Sequence, residues 1–414
     1  MSQTRFQRIR ISIPPEGMVF SVVLGFIAVC SVLRSVNMLV VVSGMMLVAL
    51  LFCWRLSRYA VRNIVVRREV PNQIHVGQPV NIQWPAANHG NFAIFRLILT
   101  DTIIQKVSRF GSLIKASRKK RPFARPSITY PKIDAGQTSY SSYRILFAER
   151  GTYEFGPATV ENRFPLALVN SWFRTQHIRL LDVAPQLGSL ANNWDKLFQT
   201  ISQGASSRSS IAGTQEEEFY AIREWRSGDN LRKIHWRSSA KKLQPMVRQF
   251  DRIIEQDRAL LIDLFADPTD AHNFLKISNE CELALSFATT AITKWLQESS
   301  GKFHLTIAGS QSARHDSSKQ TDFAGQCMKS LAIAQHTTGE NIHRELQDTA
   351  MAISAETPCM VVSTRSFKDV ESSLEAGLIS RIRWLQVDSN EFRNLFSVDS
   401  KVDKFDESEM VEAH

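Results

Sequence analysis

The chain has 414 residues, 43% of them hydrophobic and 22% charged, with a formal net charge of +10 and five cysteines. The cysteines, Cys30, Cys53, Cys281, Cys327 and Cys359, show no paired spacing, which argues against a disulfide-framed secreted scaffold and for a reducing compartment. A basic balance admits nucleic acid as a partner, but no nucleic-acid module is recognisable, and the charge has another explanation in where it sits.

Two apolar runs open the chain, Met18 to Leu33 and Val36 to Trp54, separated by Arg34 and Ser35. The second run has 19 uncharged residues, enough to cross a bilayer as a helix. The first has 16, and spans if Arg34 snorkels and Pro14-Pro15-Glu16 lies in the interface. The expectation is a transmembrane hairpin over 18–54 after an N-terminal segment, 1–17. A cleaved signal peptide and two buried core helices are the competing readings. Arg5, Arg8 and Arg10 precede the runs, and Arg55, Arg58, Arg62, Arg67 and Arg68 follow them. The positive-inside rule therefore puts both termini in the cytoplasm, and the same residues suit anionic lipid headgroups.

From 62 to 187 the pattern is that of a small β-sandwich. Asn63 to Val70, Val80 to Trp84, Phe92 to Ile104, Ser139 to Phe147, Thr152 to Phe155 and Ile178 to Val183 are strand candidates separated by Gly and Pro turns. Residues 106–126 interrupt it with eight basic side chains, which read as a solvated loop or a headgroup contact. A Ser/Gly-rich stretch, 201–215, reads as a linker. From 259 to 397 apolar strands alternate with amphipathic helices: strands at 259–264, 303–308, 360–363 and 382–387, helices at 271–298, 323–335 and 341–353. That alternation predicts an α/β domain with a mostly parallel sheet. The acidic tail, 398–414, is expected to be disordered.

The most specific segment is 216–258. It contains Arg223, Trp225, Gly228, Asp229, Ile234, His235, Trp236, Arg237, Ser239, Ala240 and Lys241. This spacing closely resembles the defining motif of the bacterial "domain of unknown function 58" family: an Arg, an aromatic, a Gly-Asp turn, then Ile-(His or Asp)-Trp-Lys/Arg-x-Ser/Thr-Ala-Arg/Lys. A second similar stretch is Arg150 to Pro157. In relatives it leads into an Asp-Pro-Phe-Gly-Leu turn, where this chain reads Phe164-Pro165-Leu166-Ala167-Leu168. The resemblance implies an order of parts: membrane hairpin, β domain, signature, then a fold like a von Willebrand factor A domain. It also implies a neighbouring AAA+ ATPase of the MoxR type as partner.

Three roles suit the signature. A buried ion-pair lattice with Trp225 and Trp236 as packing anchors would lock the two soluble domains together. A docking face for an acidic or phosphate-bearing partner would use the more exposed Arg232, Lys233, Lys241 and Lys242, with Arg223 falling to the lattice. A catalytic role would centre on His235, although relatives exchange that position with Asp.

Von Willebrand A domains often hold Mg²⁺ through Asp-x-Ser-x-Ser, and oxygen ligands suit that ion. The corresponding stretch runs from Asp263 through Phe265 to Asp267, so a ligand is missing. Asp263 and Asp267 are weak candidates, and Asp267-Pro268-Thr269-Asp270 also reads as a helix start. Ser363 and Thr364 read as ordinary loop residues. Cys281, Cys327 and Cys359 with His272, His304 and His336 offer a conceivable thiol–imidazole pair, but buried Cys usually acts as a small hydrophobe. No Gly-rich phosphate loop, nucleophile elbow or zinc spacing is present in the sequence. The expectation is a non-enzymatic inner-membrane scaffold or adaptor without a cofactor. A metal-dependent ligand-binding module and a hydrolase remain as alternatives.

Overall fold

The computed structural model describes residues 8–34, 37–71, 73–107, 123–176, 178–191, 194, 198, 217–226, 234–252, 257–266, 274–298, 301–338, 342–354, 357–371, 379, 381–398 and 411–413. Both apolar runs are helices, α1 (Pro15–Arg34) and α2 (Asn37–Asn63), long and apolar enough to cross a membrane. Pro15 opens α1, where a missing N–H costs nothing. Val22, Phe26, Val32, Met38, Met45 and Val48 stand exposed along the pair, so these faces do not belong to a protein core.

A short strand, β1 (Arg10–Ser12), precedes α1 and pairs antiparallel with residues 170–172. The chain entering the hairpin and the domain leaving it are therefore hydrogen-bonded to each other, on one side of any bilayer the hairpin spans. The segment 1–17, expected as a separate piece, contributes this strand to the β domain. The second helix also differs from expectation. It runs nine residues past Trp54 to Asn63, about 14 Å at 1.5 Å per residue, and its last turns are buried against the β domain. The Ser57 hydroxyl donates to the Asn162 carbonyl (2.6 Å) and accepts from the Ser171 N–H (3.1 Å). The Tyr59 hydroxyl accepts from Asn91 and Phe92 N–H groups. Gly90 lies against the Tyr59 ring, where a Cβ would collide. The candidate membrane helix therefore continues directly into its packing on the β domain.

The β domain continues with β2 (Ile64–Val66), β3 (Ile74–His75), β4 (Pro79–Asn88), β5 (Ile94–Thr100), β6 (Ile103–Val107), β7 (Ser127–Ile133), β8 (Thr138–Leu146), β9 (Gly151–Phe155), β10 (Thr159–Asn162), β11 (Asn170–Arg174) and β12 (Arg179–Ala184). One sheet has the order β1-β11-β10-β5-β7, a second begins β2-β4-β8, and a third is β3-β12-β9-β6. Alternating burial along β4 sends Val80, Ile82, Trp84 and Ala86 into the shared core. The apolar run Phe92 to Ile104, expected as one strand, is two strands in different sheets. Asp101 causes the break. Its buried carboxylate accepts from the Thr102 N–H (2.8 Å), the Tyr143 hydroxyl (2.8 Å) and the Arg68 guanidinium (2.5 Å), and it turns the chain from one sheet to the next.

Beyond β13 (Ser189–Leu190) come the signature hairpin, β14 (Glu217–Glu224), α3 (Trp236–Lys242) and β15 (Met246–Arg252). The α/β domain follows: β16 (Arg258–Asp263), α4 (Phe274–Glu298), β17 (Phe303–Ala308), β18 (Ala313–Asp316), α5 (Phe323–Ile333), α6 (Ile342–Ala352), β19 (Cys359–Ser363), α7 (Lys368–Glu371), β20 (Ile382–Gln386), α8 (Asn390–Leu395) and β21 (Phe396–Ser397). Its sheet order is β18-β17-β16-β19-β20, parallel except for the antiparallel edge strand β18. Leu260, Ile262, Leu305 and Met360 pack on the face covered by α4 and α5, whereas Ala259, Leu261 and Val361 pack on the face covered by α6. Helices on both faces explain why these strands read as unbroken apolar runs.

The linker 201–215 lies outside the described residues, as do 108–122 of the basic interruption and 399–410 of the tail. Within the tail, β22 (Val411–Ala413) pairs with residues 143–145, a correction to the expectation of disorder throughout 398–414. The free hydrogen-bonding edge of β8 accounts for that pairing.

Candidate functional site

The signature folds as an antiparallel hairpin, β14 against β15, with a register irregularity between Phe219 and Ala221. Among the described residues neither strand joins another sheet. The base of the connection is closed by two backbone bonds, Trp225 N–H to Pro245 O and His235 N–H to Met246 O, each 2.8 Å. The short helix α3 is started by His235. Its Nδ1 accepts from the Ser238 N–H (3.3 Å) and shares a 2.8 Å hydrogen bond with the Ser238 hydroxyl. An Asp at this position would accept the same N–H, so the cap can be made by either residue. Ser239 ties the helix to the strand: its hydroxyl donates to the His235 carbonyl (3.1 Å) and accepts from the Met246 N–H (2.8 Å).

Trp236 is 72% exposed, so it is not the packing anchor expected of it. Among the described residues nothing covers the outer face of this helix of under two turns, which has no buried residue. Arg237, Lys241 and Lys242 are exposed on the same helix, and Leu243, 92% exposed, closes it in the left-handed conformation (φ 54°). Trp225 is half-buried, and so is Arg223, whose Nη1 donates to the Glu224 carbonyl (3.0 Å). Gly228, Asp229, Arg232 and Lys233 lie outside the described residues.

One described contact between the soluble domains runs through Arg150. Arg150, at the head of the second family-like stretch, is buried. Its Nε donates to Glu282 on α4 (2.9 Å), and Nη1 and Nη2 donate to the Leu331 (2.8 Å) and Ala334 (2.7 Å) carbonyls at the end of α5. A guanidinium there satisfies carbonyls left over by the helix and faces its negative dipole end. Gly151 follows with φ 139°, a backbone that L side chains rarely adopt.

At the C-terminal edge of the parallel sheet, β16 and β19 are neighbours whose crossovers diverge to opposite sides. In open α/β sheets this is where a ligand crevice forms. Asp263 ends β16 there, 1% exposed. The Ser363 hydroxyl donates to its Oδ2 (2.7 Å), Arg365 Nε donates to the same oxygen (2.9 Å), and Arg365 Nη2 reaches Oδ1 (3.3 Å). The guanidinium lies 4.1 Å from the centre of the Phe265 ring. Thr364 donates to the Phe265 carbonyl and Trp384 Nε1 to the Arg365 carbonyl. Phe265, which removes a metal ligand, thus provides the surface on which a cation stacks. Both Asp263 oxygens are committed to Arg365, and this donor set does not fit a divalent ion, which would be repelled by the guanidinium. Asp267 lies outside the described residues. Among the described residues no three His, Cys, Asp or Glu side chains gather. Sequence reasoning missed Arg365 and Arg150, and it read Ser363 as a loop residue.

Cys281, Cys327 and Cys359 are buried. Burial pushes Cys359 up to about 12 and raises Cys281 and Cys327 as well, so thiolate is scarce at neutral pH. Burial also lowers the pKa of His304 and His336, keeping both neutral.

No curated protein matches the chain. Among solved structures, the CARDB domain of the PF1109 protein from Pyrococcus furiosus is 11% identical, over 29% of this chain and 84% of that one, with a TM-score of 0.19. A β-glucosidase from Listeria innocua is 9% identical, over 29% and 15%, at 0.18. The sporulation control protein Spo0M from Bacillus subtilis is 10% identical, over 54% and 98%, at 0.20. Residues 221–377, which hold most of the signature hairpin together with Asp263, Ser363 and Arg365, match the model of the family described as "Protein of unknown function DUF58", and the match supports assigning this segment to that family.

Proposed function

We propose that the protein is a non-enzymatic adaptor anchored in the bacterial inner membrane, with both termini cytoplasmic, and that its signature hairpin docks a MoxR-type AAA+ ATPase. The observation that carries this reading is the exposed helix of the hairpin: among the described residues β14 and β15 pair only with each other, and α3 and its end present Trp236 and Leu243 among Arg237, Lys241 and Lys242. Tryptophan and arginine are the residue types that dominate interface energetics, and a basic rim favours an acidic partner surface. The alternation of helices and strands and the 3-2-1-4-5 strand order support a von Willebrand A-like reading of the last domain. The Arg365–Asp263 pair favours a version without metal, and so speaks against the metal-dependent alternative. The buried, neutral thiols and the capping role of His235 speak against a hydrolase. The arginines flanking α1 and α2 favour the cytoplasmic orientation and contact with anionic headgroups. Nucleic acid has no part in this reading.

The test is a photo-crosslinking residue at position 236, incorporated in native membranes beside a co-expressed MoxR-type ATPase. A crosslink to the ATPase that is absent when the group is moved to Met351, on α6, supports docking at the hairpin. No crosslink from 236 removes the hairpin as the docking face. A phosphatase reporter at the C-terminus, active only outside the cytoplasm, should be silent, and an active reporter overturns the orientation.

A further inference from the structure

The turn in which this chain departs from its relatives meets the membrane helices. Leu168 and Val169 are buried with Cys53 of α2, and Phe20 of α1 and Leu50 of α2 pack on them. Phe20 and Leu50 both lie inside the apolar runs, so the turn approaches the helices at a depth that belongs to the bilayer. Gly17 makes the approach close: a Cβ there would collide with the Leu168 carbonyl and also meet the Ile13 side chain. Apolar side chains stand exposed on the segments that make this contact: Ile11 is 43% exposed, Ile13 49% and Leu166 58%. The same segments and their neighbours carry arginines. Arg10 and Arg174 both lie over the Trp172 ring, at 5.3 and 5.6 Å, and Arg58 lies over Trp54 at 5.6 Å. Arg163 opens the turn. The acids of this surface are Glu16 and Glu161, the latter 3.4 Å from Arg163.

Aromatic rings with arginines stacked on them, beside exposed aliphatic side chains at the end of an apolar helix pair, have the composition of a bilayer interface. We propose that the turn Arg163–Leu168, with Ile11 and Ile13, is a membrane seat: Leu166 and the two isoleucines enter the headgroup layer of an anionic bilayer, and Arg10, Arg58, Arg163 and Arg174 hold lipid phosphates. This rests on reading α1 and α2 as a transmembrane hairpin. The seat is a third contact with the membrane. Together with the docking of α2 on the β domain, it fixes the tilt of the soluble part over the bilayer.

Single cysteines introduced at positions 166, 48 and 351 of the full chain, in a Cys30→Ser background, carry an environment-sensitive fluorophore; the other four thiols are buried. The protein is placed in nanodiscs of phosphatidylcholine with or without phosphatidylglycerol, with quenchers attached to the lipid. The proposal requires quenching at 166 several-fold above that at 351, stronger with phosphatidylglycerol, and reduced by Arg10→Gln with Arg174→Gln. A probe at 166 as water-exposed as the one at 351, while the probe at 48 is quenched, overturns the seat and leaves the hairpin standing. Loss of quenching at 48 as well overturns the hairpin reading and the seat together. Equal quenching at 166 in the two lipid mixtures overturns the assignment of the arginines to anionic headgroups.

Discussion

Replacing Arg150 with alanine tests what joins the β domain to the α/β domain. The guanidinium makes three bonds across that boundary, to the Glu282 carboxylate and to the Leu331 and Ala334 carbonyls. Its own side chain is 3% exposed and that of Glu282 is 24% exposed. Breaking one partner of a buried ion pair costs about 3 to 5 kcal/mol. Partial exposure of Glu282 lets water take up part of its charge, which puts the pair near the bottom of that range. The two carbonyls add to it, at about 1 kcal/mol or more each where water does not reach them. A loss of about 3 to 4 kcal/mol is therefore expected, concentrated at one boundary. The readouts are a thermal melt of the detergent-solubilised protein and limited proteolysis. The variant should unfold in separated steps, with the α/β domain released first, and its stretch near 185–200 should be cut faster. Arg150→Lys keeps the charge but not the three-pronged geometry and should fall between the two. A melt and a cleavage pattern unchanged in Arg150→Ala would refute the lock.

Three further outcomes are expected. Arg365→Ala should destabilise the α/β domain by about 3 to 5 kcal/mol, because it strands the buried Asp263 carboxylate; calorimetric titration of the unaltered protein with Mg²⁺ should show no saturable site below about millimolar, and a tight site lost in Asp263→Ala would contradict the account. At the helix cap, His235→Asp should leave the melting temperature nearly unchanged, whereas His235→Ala should cost about 1 kcal/mol; equal losses in both would remove the capping explanation. Ala167 adopts a left-handed backbone, φ 55°, a conformation that favours Gly. Ala167→Gly should then raise stability by about 0.5 to 1 kcal/mol, because relief of about 1 to 2 kcal/mol of left-handed strain exceeds the added entropy of the unfolded chain, and a lower melting temperature would refute that balance.

What could be read from the sequence was local. The uncharged runs at 18–33 and 36–54 emerge as helices because length and composition decide that outcome without distant partners. The α/β strands emerge because a strand covered on both faces must be apolar throughout. The half-buried alternation at 80–84 likewise marks β4 correctly. The features that organise the site depend on residues far apart in the chain. Arg150 meets carbonyls 181 and 184 positions away, and Arg365 meets an acid 102 positions back. No spacing rule connects such pairs. Asp101 looks like an ordinary acid between two apolar stretches until Arg68 and Tyr143 close on it. Trp236 misled for a related reason: an aromatic residue in a short motif suggests a core, but it stands 72% exposed on a helix of under two turns. A basic residue two positions after the buried strand β19 was the available hint for Arg365, and the arginine heading the Arg150–Pro157 stretch was the hint for the lock.

The central claim is that the signature hairpin is a docking face and not a structural lattice. It is tested most directly by one variant, Trp236→Ala with Lys241→Glu and Lys242→Glu, measured in two ways: the melting temperature of the solubilised protein, and its capture of a MoxR-type ATPase from co-expressing membranes. All three side chains are exposed, so their replacement should move stability by no more than about 0.5 kcal/mol. The account predicts an unchanged melt and loss of capture. A strongly lowered melting temperature, or capture equal to that of the unaltered protein, would contradict it.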